Sequence, residues 1–147
     1  MERSDADPSL GLLLLLPYRA MENRVFAALA EAGYQDVTLA QARIVQRIGP
    51  EGTRLTELAE QAQVTKQTAG FLVDQIERAG YVERVPDPTD GRARLVRLSE
   101  RGQRATALAN TVAAEVEAEW ADHLGPGATA QLRRALTRLR DITDPYR

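Results

Sequence analysis

The stretch Leu55–Val82 reads LTELAEQAQVTKQTAGFLVDQIERAGYV and holds two amphipathic patterns joined by about three residues. Thr56 is a hydroxyl residue placed to cap a short helix from Glu57 to Ala62, with Leu58 and Ala59 facing inward. Gln63 and Val64 make a turn, and Thr65 caps a second helix that runs to Ala79 before Gly80 stops it. Ala69, Leu72, Val73 and Ile76 recur at helical spacing and predict its buried stripe. Two capped helices this close together have the spacing of a helix-turn-helix.

Outward from this unit the chain continues in both directions. Tyr81–Val85 and Leu95–Leu98 are strand-like, with Val82 and Val96 between polar neighbours. Pro86, Pro88 and the pair Asp90-Gly91 mark the intervening loop as turn-rich, which predicts a hairpin with a long tip. Upstream, Thr38 and Gln41 form a capping box for a helix carrying Ala42, Val45 and Ile48, ended by the turn from Gly49 to Gly52. Ser9 caps a first helix that Pro17 interrupts, either by a kink or by a restart at Pro17. Tyr18–Ala32 then carries Met21, Val25, Ala28 and Leu29 on one stripe up to Gly33. Downstream, Ser99 caps a long helix to about Leu124 with Leu108, Val112, Val116 and Trp120 at steps of four. Gly125-Pro126-Gly127 breaks it, and a last helix spans Ala128 to about Ile142.

The predicted fold is mainly α with a small β-hairpin wing (α+β). It is a winged helix-turn-helix over residues 37–98, flanked by an N-terminal helix at 9–36 and C-terminal helices at 99–147, in one domain spanning 1–147. A chain of 147 residues, 44% hydrophobic and 27% charged, suits such a domain. Leu12, Leu13 and Leu16 at one end and Leu132, Leu136 and Leu139 at the other are too apolar for solvent. They are read as a dimerisation surface in preference to packing within one chain.

Composition narrows the chemistry. With no Cys, thiol switches, thiolate zinc sites and Fe–S clusters drop out. His123 is the single His, one turn after Glu119, and reads as a cation near a helix C-terminus rather than a metal ligand. No P-loop, HExxH, G-x-S-x-G or dinucleotide fingerprint occurs, so neither an enzyme nor a cofactor is expected. No run reaches the length of a membrane span, and the start, with Glu2, Asp5 and Asp7, is unlike a signal peptide, so a cytoplasmic protein with no membrane partner is expected. Net charge is −2, yet Arg84, Arg92, Arg94, Arg97, Arg101 and Arg104 face only Asp87, Asp90 and Glu100 across one segment.

That distribution makes the second helix of the pair, residues 65–79, a candidate for the DNA major groove. Gln67 suits adenine, Lys66 a guanine edge or phosphate, and Thr65 or Thr68 a phosphate. Gly70 allows close approach, and Phe71 is placed for a thymine methyl. The competing reading is a solvated face with Phe71 turned into the core. Arg92 suits the minor groove, with Arg94 nearer the backbone. Asp90 and Gly91 shape the wing, Asp90 by bonding loop N–H groups or by holding Arg94.

Read whole, the chain resembles the MarR family of bacterial transcription regulators. The resemblance rests on Leu55–Ala59, Val64–Thr68, Val73-Asp74, Ile76–Val82, the wing pattern Asp90-x-Arg92-x-Arg94 and Leu98–Gly102. The turn position usually held by Gly is Gln63 here. The resemblance implies a homodimer built from the terminal helices, and an inverted-repeat double-stranded operator with half-sites about 10 bp apart. It also implies repression relieved by a small, often aromatic, anion lodged between the dimer part and the winged part. Tyr18, Met21, Tyr34 and Trp120 are candidates to line that pocket. The alternative is a winged-helix module that binds protein rather than DNA, which has no use for a basic wing tip.

Overall fold

The computed structural model describes residues 7–145; Glu2 and Asp5 of the acidic start, like the end of the last segment at 146–147, lie outside the described residues. The elements are α1 (Leu10–Glu31), α2 (Leu39–Val45), α3 (Leu55–Ala62), α4 (Lys66–Arg78), β1 (Val82–Asp87), β2 (Asp90–Leu98), α5 (Glu100–Leu124) and α6 (Pro126–Thr143).

The Ser9 hydroxyl accepts the Leu12 N–H at 3.2 Å and opens α1. The helix continues through Pro17, which corrects the expected alternative of a restart there. Pro17 forfeits one backbone bond, but strong helix formers on both sides carry the helix across that gap. Leu29 is its buried residue, and Gly33 ends the segment at φ 98°.

In α2 the capping box is formed as expected, with Gln41 N–H bonded to the Thr38 hydroxyl at 3.2 Å and Thr38 N–H to Gln41 Oε1 at 3.1 Å. The buried residues, however, are Gln41 and Ile44, while Ala42, Val45 and Ile48 are only half-buried. Gln41 tolerates burial because its amide also donates to Gln75 Oε1 at 3.1 Å on α4.

Residue Arg54, not Thr56, stands at the N-cap of α3. Its backbone is extended and its carbonyl accepts the Leu58 N–H at 3.0 Å, so Thr56 lies inside the first turn. Gln63 takes the left-handed conformation, φ 57° and ψ 44°, at a cost of roughly 1 kcal/mol. The turn therefore keeps the geometry that a glycine would supply. Thr65 caps α4, whose expected stripe of Ala69, Leu72, Val73 and Ile76 is buried throughout. With Leu58, Ala59, Tyr81, Val82 and Val96 it forms the core under the helix pair.

The hairpin is tighter than its sequence suggested. The strands run to Asp87 and from Asp90, leaving only Pro88 and Thr89 at the tip. Pairing proceeds from Val82↔Leu98 to Pro86↔Arg94, then jumps to Asp87↔Asp90. Gly91, Arg92 and Ala93 therefore fall in the irregular step, and Arg92 sits on a bulge of β2 rather than in a long loop. Thr53 adds a bridge to Val96, with both backbone bonds at 2.9 Å.

Ser99 caps α5, which runs beside α1, and Arg24 on α1 grips Glu119 through bonds of 2.8 and 3.1 Å. Val112 and Val116 are buried, while Leu108 and Trp120 are half-buried. Helix α6 begins at Pro126, two residues before the expected Ala128, because proline suits the first helical position. None of its residues is buried. Among the described residues, no helix is long and apolar enough to cross a membrane.

Candidate nucleic-acid interface

The amphipathic pattern of α4 buries one face and presents the other. Thr65, Lys66, Gln67 and Thr68 are exposed at its start, and Phe71 is 60% exposed one turn on, so the core-facing alternative for Phe71 is excluded. Gly70 is half-buried, and a Cβ there would meet only Leu55 Cδ2 at 3.7 Å. Packing does not demand glycine at this position; its effect is to keep the outer surface of the helix low. Of the two threonines, Thr65 is engaged: its hydroxyl accepts the Thr68 N–H and donates to the Thr68 hydroxyl, both at 3.0 Å. The Thr68 O–H proton is left to donate outward.

The wing is held by residues that the sequence reading passed over. Asp87 is buried, and its carboxylate accepts from Thr89 N–H at 2.8 Å, Thr89 O–H at 2.7 Å and Arg54 Nε at 2.8 Å. Arg54 Nη2 adds a contact of 2.7 Å to the same carboxylate and lies 3.9 Å from Asp90. The first residue of an Asp-Pro-Thr tip was the legible signal for such a turn. Asp90 accepts the Arg92 N–H at 3.1 Å, so it bonds the loop backbone as one alternative expected; it does not hold Arg94.

The Thr89 hydroxyl and N–H, then Arg54, pull the Asp87 pKa down to about 2. A depressed carboxylate stabilises the fold above its ordinary pKa of 3.8 and loses that contribution as pH falls toward 2. Urea midpoints measured from pH 5 to pH 2 are therefore expected to drop below pH 4. In Asp87→Asn the same drop should be smaller from a lower starting point. An equal acid-limb slope in both proteins would remove this clamp from the account.

The cations of the region divide into two sets. Arg84 bonds Glu77 at 2.7 Å and Asp74 at 2.8 Å, tying β1 to α4, and Arg97 pairs with Glu83 at 2.7 Å across the hairpin. Arg54 and Arg101 are also engaged. The side chains of Lys66 at the start of α4 and of Arg92 and Arg94 on the wing, like those of Arg78 and Arg104, make no ion pair or hydrogen bond with the described residues.

Behind the helix pair lies a cavity of about 380 Å³ between α1, α2 and α5, floored by Ile76, Tyr81 and Leu98. Tyr18 and Met21 line it, but Trp120 and Tyr34 do not. Tyr34 instead meets Tyr81 at 6.1 Å between ring centres, and the Arg101 guanidinium lies over both rings, 4.3 Å from Tyr81 and 5.5 Å from Tyr34. Arg101 also donates to the Ala79 carbonyl at the end of α4. The Tyr81 hydroxyl donates to Asp36 at 2.5 Å; burial and that carboxylate push its pKa up to about 12, while the same bond lowers that of Asp36. His123 is exposed in the last turn of α5, and Glu119 turns to Arg24 instead of to it.

The terminal helices leave leucines bare. Leu12, Leu13 and Leu16 are 43%, 48% and 53% exposed, and Leu132, Leu136 and Leu139 are 42%, 39% and 43% exposed.

Residues 35–93 match the model of the MarR family, a family of transcription regulators. No curated protein matches the chain significantly. Among solved structures the chain is similar to MarR, at 27% identity over 97% of this chain and 95% of that one, with a TM-score of 0.73. It has the fold of CouR from Rhodococcus jostii RHA1 bound to p-coumaroyl-CoA, at 22% identity over 98% and 99% of the two chains, TM-score 0.72. It shares that fold too with an S. aureus MepR mutant bound to an oligodeoxyribonucleotide, at 18% identity over 94% and 100%, TM-score 0.60.

Proposed function

We propose that this chain, whose residues 35–93 are a MarR-family winged helix-turn-helix, is a cytoplasmic homodimeric repressor that reads an inverted-repeat operator in double-stranded DNA. Residues 37–98 carry the reading head, and the segments 9–36 and 99–147 pair with those of a second copy. Helix α4 enters the major groove, where Gln67 addresses adenine and Lys66 a guanine edge or phosphate. Thr68, whose hydroxyl proton is free, and the free N–H groups at the helix start take phosphate, while Thr65 caps the helix. Gly70 permits close approach, and Phe71 meets a thymine methyl. Arg92 enters the minor groove with Arg94 on the backbone beside it. A small ligand in the cavity behind α4 shifts the dimer toward a state with misplaced reading heads and so releases DNA.

The observation that carries the reading is the division among the cations. Where the wing and helix need rigidity, arginines are consumed by carboxylates. At the start of α4 and on the wing, Lys66, Arg92 and Arg94 are left without a partner among the described residues, and Phe71 on α4 is exposed. A winged helix built to bind protein has no need of that arrangement, and a fold shared with an oligonucleotide-bound MepR agrees with DNA.

The test is a mobility shift with the DNA upstream of the protein's own gene. Arg92→Ala is expected to weaken operator binding tenfold or more at physiological salt, with an unchanged melting temperature. Equal affinity for the variant would take the wing out of the interface.

A further inference from the structure

The cavity behind α4 has an unusual charge balance for a site expected to take an anion. Its walls are mostly aliphatic and aromatic, with polar groups from Gln46 at the C-cap of α2 and from Thr106 and Asn110 on α5. The one ionised group among its lining residues is the carboxylate of Glu22 on α1. Glu22 is half-buried and makes no ion pair or hydrogen bond with the described residues. No Arg, Lys or His lines the cavity. Among the neighbouring cations, Arg24 is engaged by Glu119, and Arg101 by Asp36, the Ala79 carbonyl and two tyrosine rings, while Arg19 on α1 and Arg43 on α2 are exposed and line no part of the cavity.

A carboxylate entering this cavity loses water, finds no counter-charge and lies in the field of Glu22. An amine or amidine loses the same water but gains a charge-assisted bond to a carboxylate that lacks a partner. The volume, about 380 Å³, suits a compact ring system.

We infer that the cavity selects its ligand by charge, taking a hydrophobic aromatic cation ahead of the neutral isostere and the neutral isostere ahead of the anion. The inference rests on the reading of this cavity as the effector site, and it reverses the charge preference that the family resemblance implied.

Three probes of one shape decide it: naphthamidine, naphthamide and naphthoate, titrated calorimetrically into the full chain without DNA. Naphthamidine should bind roughly tenfold more tightly than the amide, as a charge-assisted bond allows, and naphthoate more weakly than the amide by a similar factor. Glu22→Gln should bring the amidine to within about twofold of the amide, both measured on the variant. Ala109→Trp, which fills the cavity from α5, should abolish binding of all three; retained binding would place the ligand elsewhere and overturn the inference. Any other rank order, or no binding at millimolar concentration, overturns it as well. Because the readout contains no DNA, a mobility-shift failure sinks the regulator reading without touching this ranking, and a failed ranking leaves DNA binding intact.

Discussion

Leu136→Glu is expected to sediment as a monomer at micromolar concentration and to bind operator DNA weaker by about two to four orders of magnitude. The argument starts from the surface. Five leucines in succession, Leu12–Leu16, cover the full circumference of α1, because a helix turns once in 3.6 residues. All five are 43% to 53% exposed, so α5, the helix that α1 chiefly packs against, leaves much of that surface bare. Helix α6 adds Leu132, Leu136 and Leu139 on one stripe with no buried residue anywhere along it. Burying each such side chain contributes about 1.5–3 kcal/mol, and in the proposed homodimer a second copy brings a matching leucine surface. A carboxylate in the middle of the α6 stripe would be desolvated without a counter-charge. The loss in affinity follows from linkage of two heads: once one half-site is engaged, the other binds at a high effective concentration, and an isolated head forgoes that factor. Arg134→Glu, on the opposite side of α6, should leave both the assembly and the affinity near those of the parent. A Leu136→Glu protein that remained dimeric would move the interface away from the terminal helices.

Much of the winged helix-turn-helix was written locally. The caps at Thr38, Thr65 and Ser99, and the α4 stripe, depend on residues within four positions of one another, so periodicity and capping chemistry are enough to find them. What sequence missed depends on partners far along the chain. Arg54 stands at the α3 cap and reaches Asp87 across 33 positions, which displaces Thr56 from that role and shortens the hairpin tip. Gln41 is buried because Gln75, 34 positions away, completes its bonds. The same holds for charge. Counting Arg84 to Arg104 showed a basic segment, but only geometry separates the arginines that bind Asp74, Glu77 and Glu83 from Arg92 and Arg94 on the wing, which bind nothing among the described residues. The cavity is the extreme case, since α1, α2 and α5 meet only in the folded state. Tyr18 and Met21 were legible as candidates, whereas Glu22, between helix neighbours of ordinary polarity, carried no local sign of its position.

Gly102→Ala should lower the melting temperature by roughly 10 °C, corresponding to about 3 kcal/mol or more for a chain of this length. Propensity alone argues the other way, since alanine in a helix is favoured over glycine by about 1 kcal/mol. The packing reverses the sign. Gly102 lies in the first turn of α5, where its N–H bonds the Ser99 hydroxyl at 3.1 Å. A Cβ there would stand 2.0 Å from the Tyr81 carbonyl oxygen, 3.0 Å from its carbon and 3.2 Å from Leu98 Cδ2. The nearest obstacle is backbone, so no rotamer change relieves it. That carbonyl is also fixed, because it accepts the Ser99 N–H at 3.0 Å. To admit a methyl group, α5 must move away from the start of β1, and Tyr81 is at once the floor of the cavity, the donor to Asp36 and the ring beneath Arg101. Arg101 in turn holds the Ala79 carbonyl at the end of α4. The substitution thus loosens the joint between the terminal helices and the winged helix-turn-helix, and not only the core. Gly127→Ala supplies the control: its Cβ would meet nothing within 4 Å in the first turn of α6, so helix propensity should act alone and the melting temperature should hold or rise. If Gly102→Ala melted with Gly127→Ala, close seating of α5 against the Tyr81 carbonyl would be wrong.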